Sequence, residues 1–167
     1  MKEEIKIKLM FRLIFIFLIT ALAAQAQQIN FEQIAFNYFT TEIFTQNYPN
    51  AKVIYYCGQT ESERSIAGPF AKCFESDSDF SQFYYHQKKS ESEKLTIESD
   101  NFNRLKKISS TKSKQLNLRI YRAVTNGEMV YVYIKIFKEK HFVDHYLIKV
   151  SSSNKEVIDF CRMNEII

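Results

Sequence analysis

LNLRIYRAVTNGEMVYVYIKIF, residues 116–137, is the stretch whose reading decides the fold. Leu116, Leu118 and Ile120 alternate with Asn117, Arg119 and Tyr121, and Val130, Val132, Ile134 and Ile136 alternate with Tyr131, Tyr133 and Lys135. Successive side chains of a strand point to opposite faces, so both runs read as half-buried β-strands. Thr125-Asn126-Gly127 between them has turn chemistry. A two-residue Asn-Gly turn would set Leu118 against Lys135 and split the aliphatic rows. A three-residue loop with Gly127 left-handed in a bulge aligns Leu118 with Ile134 and Ile120 with Val132. A one-residue slip moves a whole row to the other face, so the aligned register is expected.

Outward toward the C-terminus, Lys138-Glu139-Lys140-His141 reads as a second turn leading into Phe142–Val150, with Val157–Ile167 closing the sheet. Pairing Phe137 with Phe142 puts Val143 and Leu147 on the aliphatic face. It also sets Tyr133 against Tyr146 and Lys135 against Asp144 on the other. That second face then carries Arg119, Tyr121, Tyr131, Tyr133, Lys135 and Tyr146, and tyrosine and arginine are common interface anchors. It is the candidate binding surface, unless water or the middle of the chain covers it.

Outward toward the N-terminus, Ile29–Gln46 is predicted to be a helix. Asn30 caps it, Gln33 reaches back as in a capping box, and Ile29 packs on Ile34 as a staple. Phe31, Ile34, Ala35, Tyr38, Phe39 and Ile43 share one broad face, suited to lie across the aliphatic side of the sheet. Tyr48-Pro49 ends the helix. Ala51–Cys57 reads as a strand ended by Gly58, and Glu61–Phe74 as a short helix broken at Gly68-Pro69. Phe80–His86 reads as a strand or aromatic loop, Gln87–Lys94 as a polar loop and Leu95–Ile97 as a brief strand. Ser99 or Asp100 then caps a short helix bearing Phe102, Leu105 and Ile108, and Ser109–Lys114 is a loop.

The expected fold class is α+β, an N-terminal helix packed on an antiparallel meander sheet of four or more strands. This element order is loosely similar to cystatin-like and NTF2-like folds.

Met1–Ala26 reads as a signal peptide. Lys2, Lys6, Lys8 and Arg12 make a basic start, and Leu13–Ala24 is an apolar run of about twelve residues, too short to span a bilayer of ~30 Å. Ala24-Gln25-Ala26 has the small-x-small form of a cleavage site, leaving a single domain, 27–167, with no stable membrane anchor. No cysteine follows the apolar run to carry a lipid. The chain of 167 residues has 23 basic and 19 acidic side chains; without the leader 19 and 17 remain, net +2. With no basic stripe, nucleic acid is not an expected partner.

Export permits disulfides, and Cys57, Cys73 and Cys161 allow one pair with one thiol left over. Cys57–Cys73 is the favoured pair because it closes a short loop; three reduced, buried cysteines are the alternative. His145 is the candidate base for a Cys161 nucleophile, although the expected register sets them on opposite faces. His141 and His145 on a strand lie about 13 Å apart, too far to share a zinc, and His86 has no acidic neighbours, so no metal is expected. Gly58, Gly68 and Gly127 are the only glycines; they form no phosphate loop or nucleophile elbow, and no cofactor is expected. Asp77 with Asp79 and Glu91 with Glu93 lie in polar stretches that leave carboxylates unperturbed. The expected function is therefore a small exported, non-catalytic protein binding a macromolecular partner or ligand through a sheet face. Alternatives are a periplasmic inhibitor or immunity protein, an enzyme with a cryptic site around His145, Asp144 or Glu165, and a small-ligand carrier. The carrier requires an apolar cavity between helix and sheet.

Overall fold

Amphipathic spacing makes the first element. Helix α1 begins α-helical over Phe31–Tyr38, widens into a π-helical segment at Phe39–Ile43 and finishes α-helical over Phe44–Asn47. The hydroxyls of Thr40, Thr41 and Thr45 donate to carbonyls three or four residues back, a back-bonding that accompanies bends in a helix. The Gln33 amide donates to the Glu98 carbonyl and accepts the Glu98 N–H, tying α1 to the segment 95–98. The computed structural model describes residues 30–61, 68–89, 95–98, 102–108, 116–137 and 142–166. The leader 1–26, the staple residue Ile29, the second turn at 138–141, the polar stretches 62–67, 90–94 and 109–115, and the caps Ser99 and Asp100 lie outside the described residues.

Among the described residues, seven strands form one mixed sheet: β1 Ile54–Glu61, β2 Leu105–Lys107, β3 Asn117–Tyr121, β4 Val124–Asn126, β5 Met129–Phe137, β6 Phe142–Ser151 and β7 Val157–Ile166. Their order is β2-β1-β3-β5-β6-β7, with β4 also on β5. The pairs β3–β5, β5–β6 and β6–β7 are antiparallel, the expected meander. The all-antiparallel expectation needs correction at the other edge, where β1 runs parallel to both β2 and β3. Gly58 does not end β1. It takes φ +75 in an irregularity between Tyr56 and Thr60, and the strand continues. The segment expected as a helix around Leu105 is strand β2, and Leu95–Ile97 contributes only a single antiparallel bridge from Thr96 to Gln59.

Register corrects two further expectations. Leu118 pairs with Ile136 and Ile120 with Ile134, two residues from the expected alignment but with the same faces. Asn126 pairs with Met129, so the loop is the two residues Gly127-Glu128, with Gly127 at φ +61. The parity change made necessary by that tight turn falls at Arg122-Ala123, between β3 and β4. There the Ala123 N–H donates to Glu32 Oε1 at 2.9 Å, and Arg122 Nε lies 3.4 Å from the same oxygen. Glu32, 3% exposed on α1, thus satisfies the backbone freed by the bulge.

The second correction changes faces. Phe137 pairs with Val143, not Phe142, so Tyr133 opposes Leu147, Lys135 opposes His145, and Tyr146 opposes Ile134. Tyr146 and Asp144 therefore stand on the helix side, while His145 and Leu147 join Tyr133 on the other.

Each side has its own core. On the helix side, Phe36, Phe39, Ile43 and Phe44 pack on Leu118, Ile120, Val132, Ile134, Ile136, Tyr146 and Ile148. On the other side, Phe70, Phe83, Tyr121, Tyr131, Tyr133 and Leu147 form a second cluster. Its cover comes from a 3-10 turn, Gly68–Cys73, and helix α2, Asp77–Lys89, which spans the segment expected as a strand or loop. Ser76 caps α2, accepting the Asp79 N–H at 3.1 Å and donating to Asp79 Oδ2 at 2.8 Å. Cys73 is bonded to Cys161 of β7, correcting the favoured Cys57 pairing, and Cys57 is a free thiol.

Candidate functional site

Among the described residues three polar arrangements stand out, and two lie largely within the cores. On the helix side, the Tyr48 hydroxyl donates to Asp144 Oδ2, lies 2.9 Å from the Tyr146 hydroxyl, and Arg162 Nη2 lies 3.4 Å from the same Asp144 oxygen. Arg162 also donates to Asn47 at the end of α1. Burial, with help from Asp144, pushes the Tyr48 phenol far above its ordinary range; burial also raises Tyr146, against the pull of Tyr48 and Arg162. The cluster lets a carboxylate 2% exposed sit in a core and joins α1 to the sheet.

On the opposite side, the Tyr133 hydroxyl lies 2.6 Å from His145 Nδ1, and His145 Nε2 lies 2.9 Å from Glu165 Oε2. The order hydroxyl, imidazole, carboxylate is that of an activated nucleophile. Tyr133 is 5% exposed and His145 3%, however, and the Phe70 ring stands edge-on to both. Cys161 lies on this same face, opposite Leu147, which reverses the expected separation from His145, but its sulfur is held in the disulfide. Tyr133 and His145 are buried and Glu165 stands half exposed at the rim, so the array ties β5, β6 and β7 together as a polar clamp.

The expected binding face is not a surface. Tyr121 is 1% exposed and stacks on Tyr133 at 4.5 Å. Tyr146 is fully buried on the other side, edge-on to Phe39 at 5.1 Å. Arg119 and Lys135 are half-buried, each with its cation 4.9 Å from the Phe137 ring. The structure brings Tyr121, Tyr131 and Tyr133 together under the α2 layer and leaves Tyr146 out.

The third arrangement is open. A cleft of about 300 Å³ lies between α2 and the β4–β5 hairpin. Phe74, Glu75, Asp79 and Gln82 line one wall, Asn126, Gly127, Met129 and Tyr131 the other, and Lys149 enters from β6. Tyr131 is held between Phe74 and Phe83, with ring centroids 5.2 and 5.3 Å away. Its phenol is raised above the ordinary value, first by burial and then by the charges of Asp79 and Glu75. Only Tyr131 of this cleft belonged to the expected site. The missed signal was Ser76-x-x-Asp79 followed by Phe80 and Phe83, a cap and an apolar i, i+3 pair that announce a helix over the tyrosine face.

Among the described residues no group of three or more His, Cys, Asp or Glu side chains is placed to hold a metal, and no helix is long and apolar enough to cross a membrane. No family model, curated protein or solved structure matches the chain.

Proposed function

We propose that this is a small exported, non-catalytic binding protein whose working surface is the cleft beneath α2. The observation that carries the reading is the covering of both sheet faces: α1 fills one and the α2 layer the other, so the cleft is where core polar groups meet open space. The space between α1 and sheet is packed with Phe36, Phe39 and Phe44, which weighs against a carrier with a cavity there. The polar array around His145 lies away from the cleft, which weighs against a cryptic enzyme. The Cys73–Cys161 bond supports export, because disulfides persist in oxidising compartments. α1 laid across β3, β5, β6 and β7 supports the loose likeness to cystatin-like and NTF2-like folds, with the parallel β1 and β2 standing outside it.

Gln82→Trp tests the reading. Gln82 is an exposed residue on the cleft wall, and an indole there fills the opening without entering a core. Affinity capture from the cell envelope and medium is expected to lose the bound partner with Gln82→Trp and keep it with Lys52→Glu, an exposed change elsewhere. Equal capture by both variants would move the binding surface off the cleft.

A further inference from the structure

We propose that the cleft receives an organic cation, an ammonium or guanidinium group, with Glu75 and Asp79 as its charge partners and the Tyr131 hydroxyl as its innermost hydrogen-bonding group. The inference rests on the cleft being the working surface, and it names what enters.

Tyr131 is 7% exposed, yet its hydroxyl has no hydrogen-bond partner among the described residues. The hydroxyl is not sealed from solvent: it opens on the cleft, where an entering polar group can bond it in place of water. The rings of Phe74 and Phe83 fix the phenol in place, so its position is set by the core.

Charge decides the class of that group. Glu75 makes no hydrogen bond or ion pair among the described residues and is exposed on the cleft wall. Asp79 uses one carboxylate oxygen, Oδ2, on the Ser76 hydroxyl and leaves the other for a ligand. Among the described residues the cation on the rim is Lys149, and its ammonium lies 3.7 Å from Asp159 of β7, which offsets its charge. The field of Asp79 and Glu75 reaches the Tyr131 oxygen and opposes its ionisation, as it would oppose an anion at that place. A cation is attracted there, and a hydroxyl oxygen can accept its N–H. The volume, about 300 Å³, suits one lysine or arginine side chain or a small free amine.

The test is a titration of the isotope-labelled protein followed by backbone amide shifts, using n-butylammonium, neutral n-butanol, acetate and the blocked peptide acetyl-Gly-Lys-Gly-amide. The amides of Gln82, Gly127 and Met129 are expected to move saturably with the two cations and not with butanol or acetate. Glu75→Gln, an exposed change that leaves the α2 cap intact, is expected to weaken binding about tenfold, the worth of one charge-assisted bond. Tyr131→Phe should weaken it several-fold without changing charge. Tighter binding of the peptide identifies a partner's side chain as the source, and tighter binding of butylammonium a free amine; both support the cation. Butanol or acetate moving the same amides as strongly, or neither cation moving them, would overturn the assignment. In either case the capture experiment with Gln82→Trp still decides separately whether the cleft is the working surface.

Discussion

His145 is a titratable side chain that the fold keeps neutral. With Nε2–H donating to Glu165 and Nδ1 accepting from the Tyr133 hydroxyl, both ring nitrogens are used without a charge. Burial holds its pKa below the ordinary 6.5; Glu165 pulls the other way, Lys135 adds to the lowering, and Asp144 opposes it. In the unfolded chain the imidazole takes its proton near 6.5, and in the folded protein only at lower pH. Between those values the unfolded state binds more protons, so stability rises with pH there; it is present above 6.5 and lost as pH falls toward the folded pKa. His145→Gln should flatten that part of the profile. Melting temperatures measured from about pH 7.5 down to about pH 4.5 are expected to fall less steeply in the variant; parallel profiles would show that His145 carries no such linkage. The sequence singled the residue out as a candidate base, but its partners were not legible. Tyr133 is twelve residues away and Glu165 twenty, and both meet it only through the pairing of β6 with its neighbours.

At the scale of elements, strand positions were legible and their faces were not. β3, β5, β6 and β7 lie within a residue or two of where alternation puts them. The register of β6 failed because Phe142, Tyr146, Ile148 and Val150 are apolar at one parity, and Val143 and Leu147 at the other. A strand buried on both faces loses the alternation that fixes parity. Asp144 reinforced the error, since a carboxylate reads as solvent-facing until Tyr48 and Arg162 are known to meet it. Helix α2 was missed because Phe80, Phe83 and Tyr84 read as strand formers, while the hydroxyl and carboxylate that start the helix read as loop. If the cap is what commits this segment to a helix, Ser76→Ala should cost about 1 kcal/mol in denaturant unfolding, and Ser76→Gly only a few tenths. Equal midpoints for Ser76→Ala and the parent protein would assign the start of α2 to packing alone.

At the scale of the whole molecule, the layers differ in how they are held. α1 is joined to the sheet by a broad aromatic core, by Glu32 at the bulge and by the Asp144 cluster. The α2 layer has a smaller core and one covalent tie, Cys73 to Cys161, between residues 88 apart in sequence. Sequence spacing favoured the shorter loop because it ignores which segments the fold brings together; Cys73 follows Phe70, and both are set over β6 and β7 by the rings they cover. In the chain-entropy model a cross-link over a loop of that length stabilises by about 4–5 kcal/mol. Peptide mapping without reductant should recover the 73–161 cross-link and find Cys57 alone open to alkylation; a 57–73 cross-link would refute the layer's anchorage. A double Cys73→Ala, Cys161→Ala variant should lose stability of that order. Its near-ultraviolet tyrosine signal should decay at lower denaturant than its far-ultraviolet signal, because the α2 layer lifts from Tyr121, Tyr131 and Tyr133 while α1 still holds the opposite face. Coincident decay of the two signals would instead mean that both layers unfold as one cooperative unit, with the disulfide reinforcing a cover that the aromatic packing already holds.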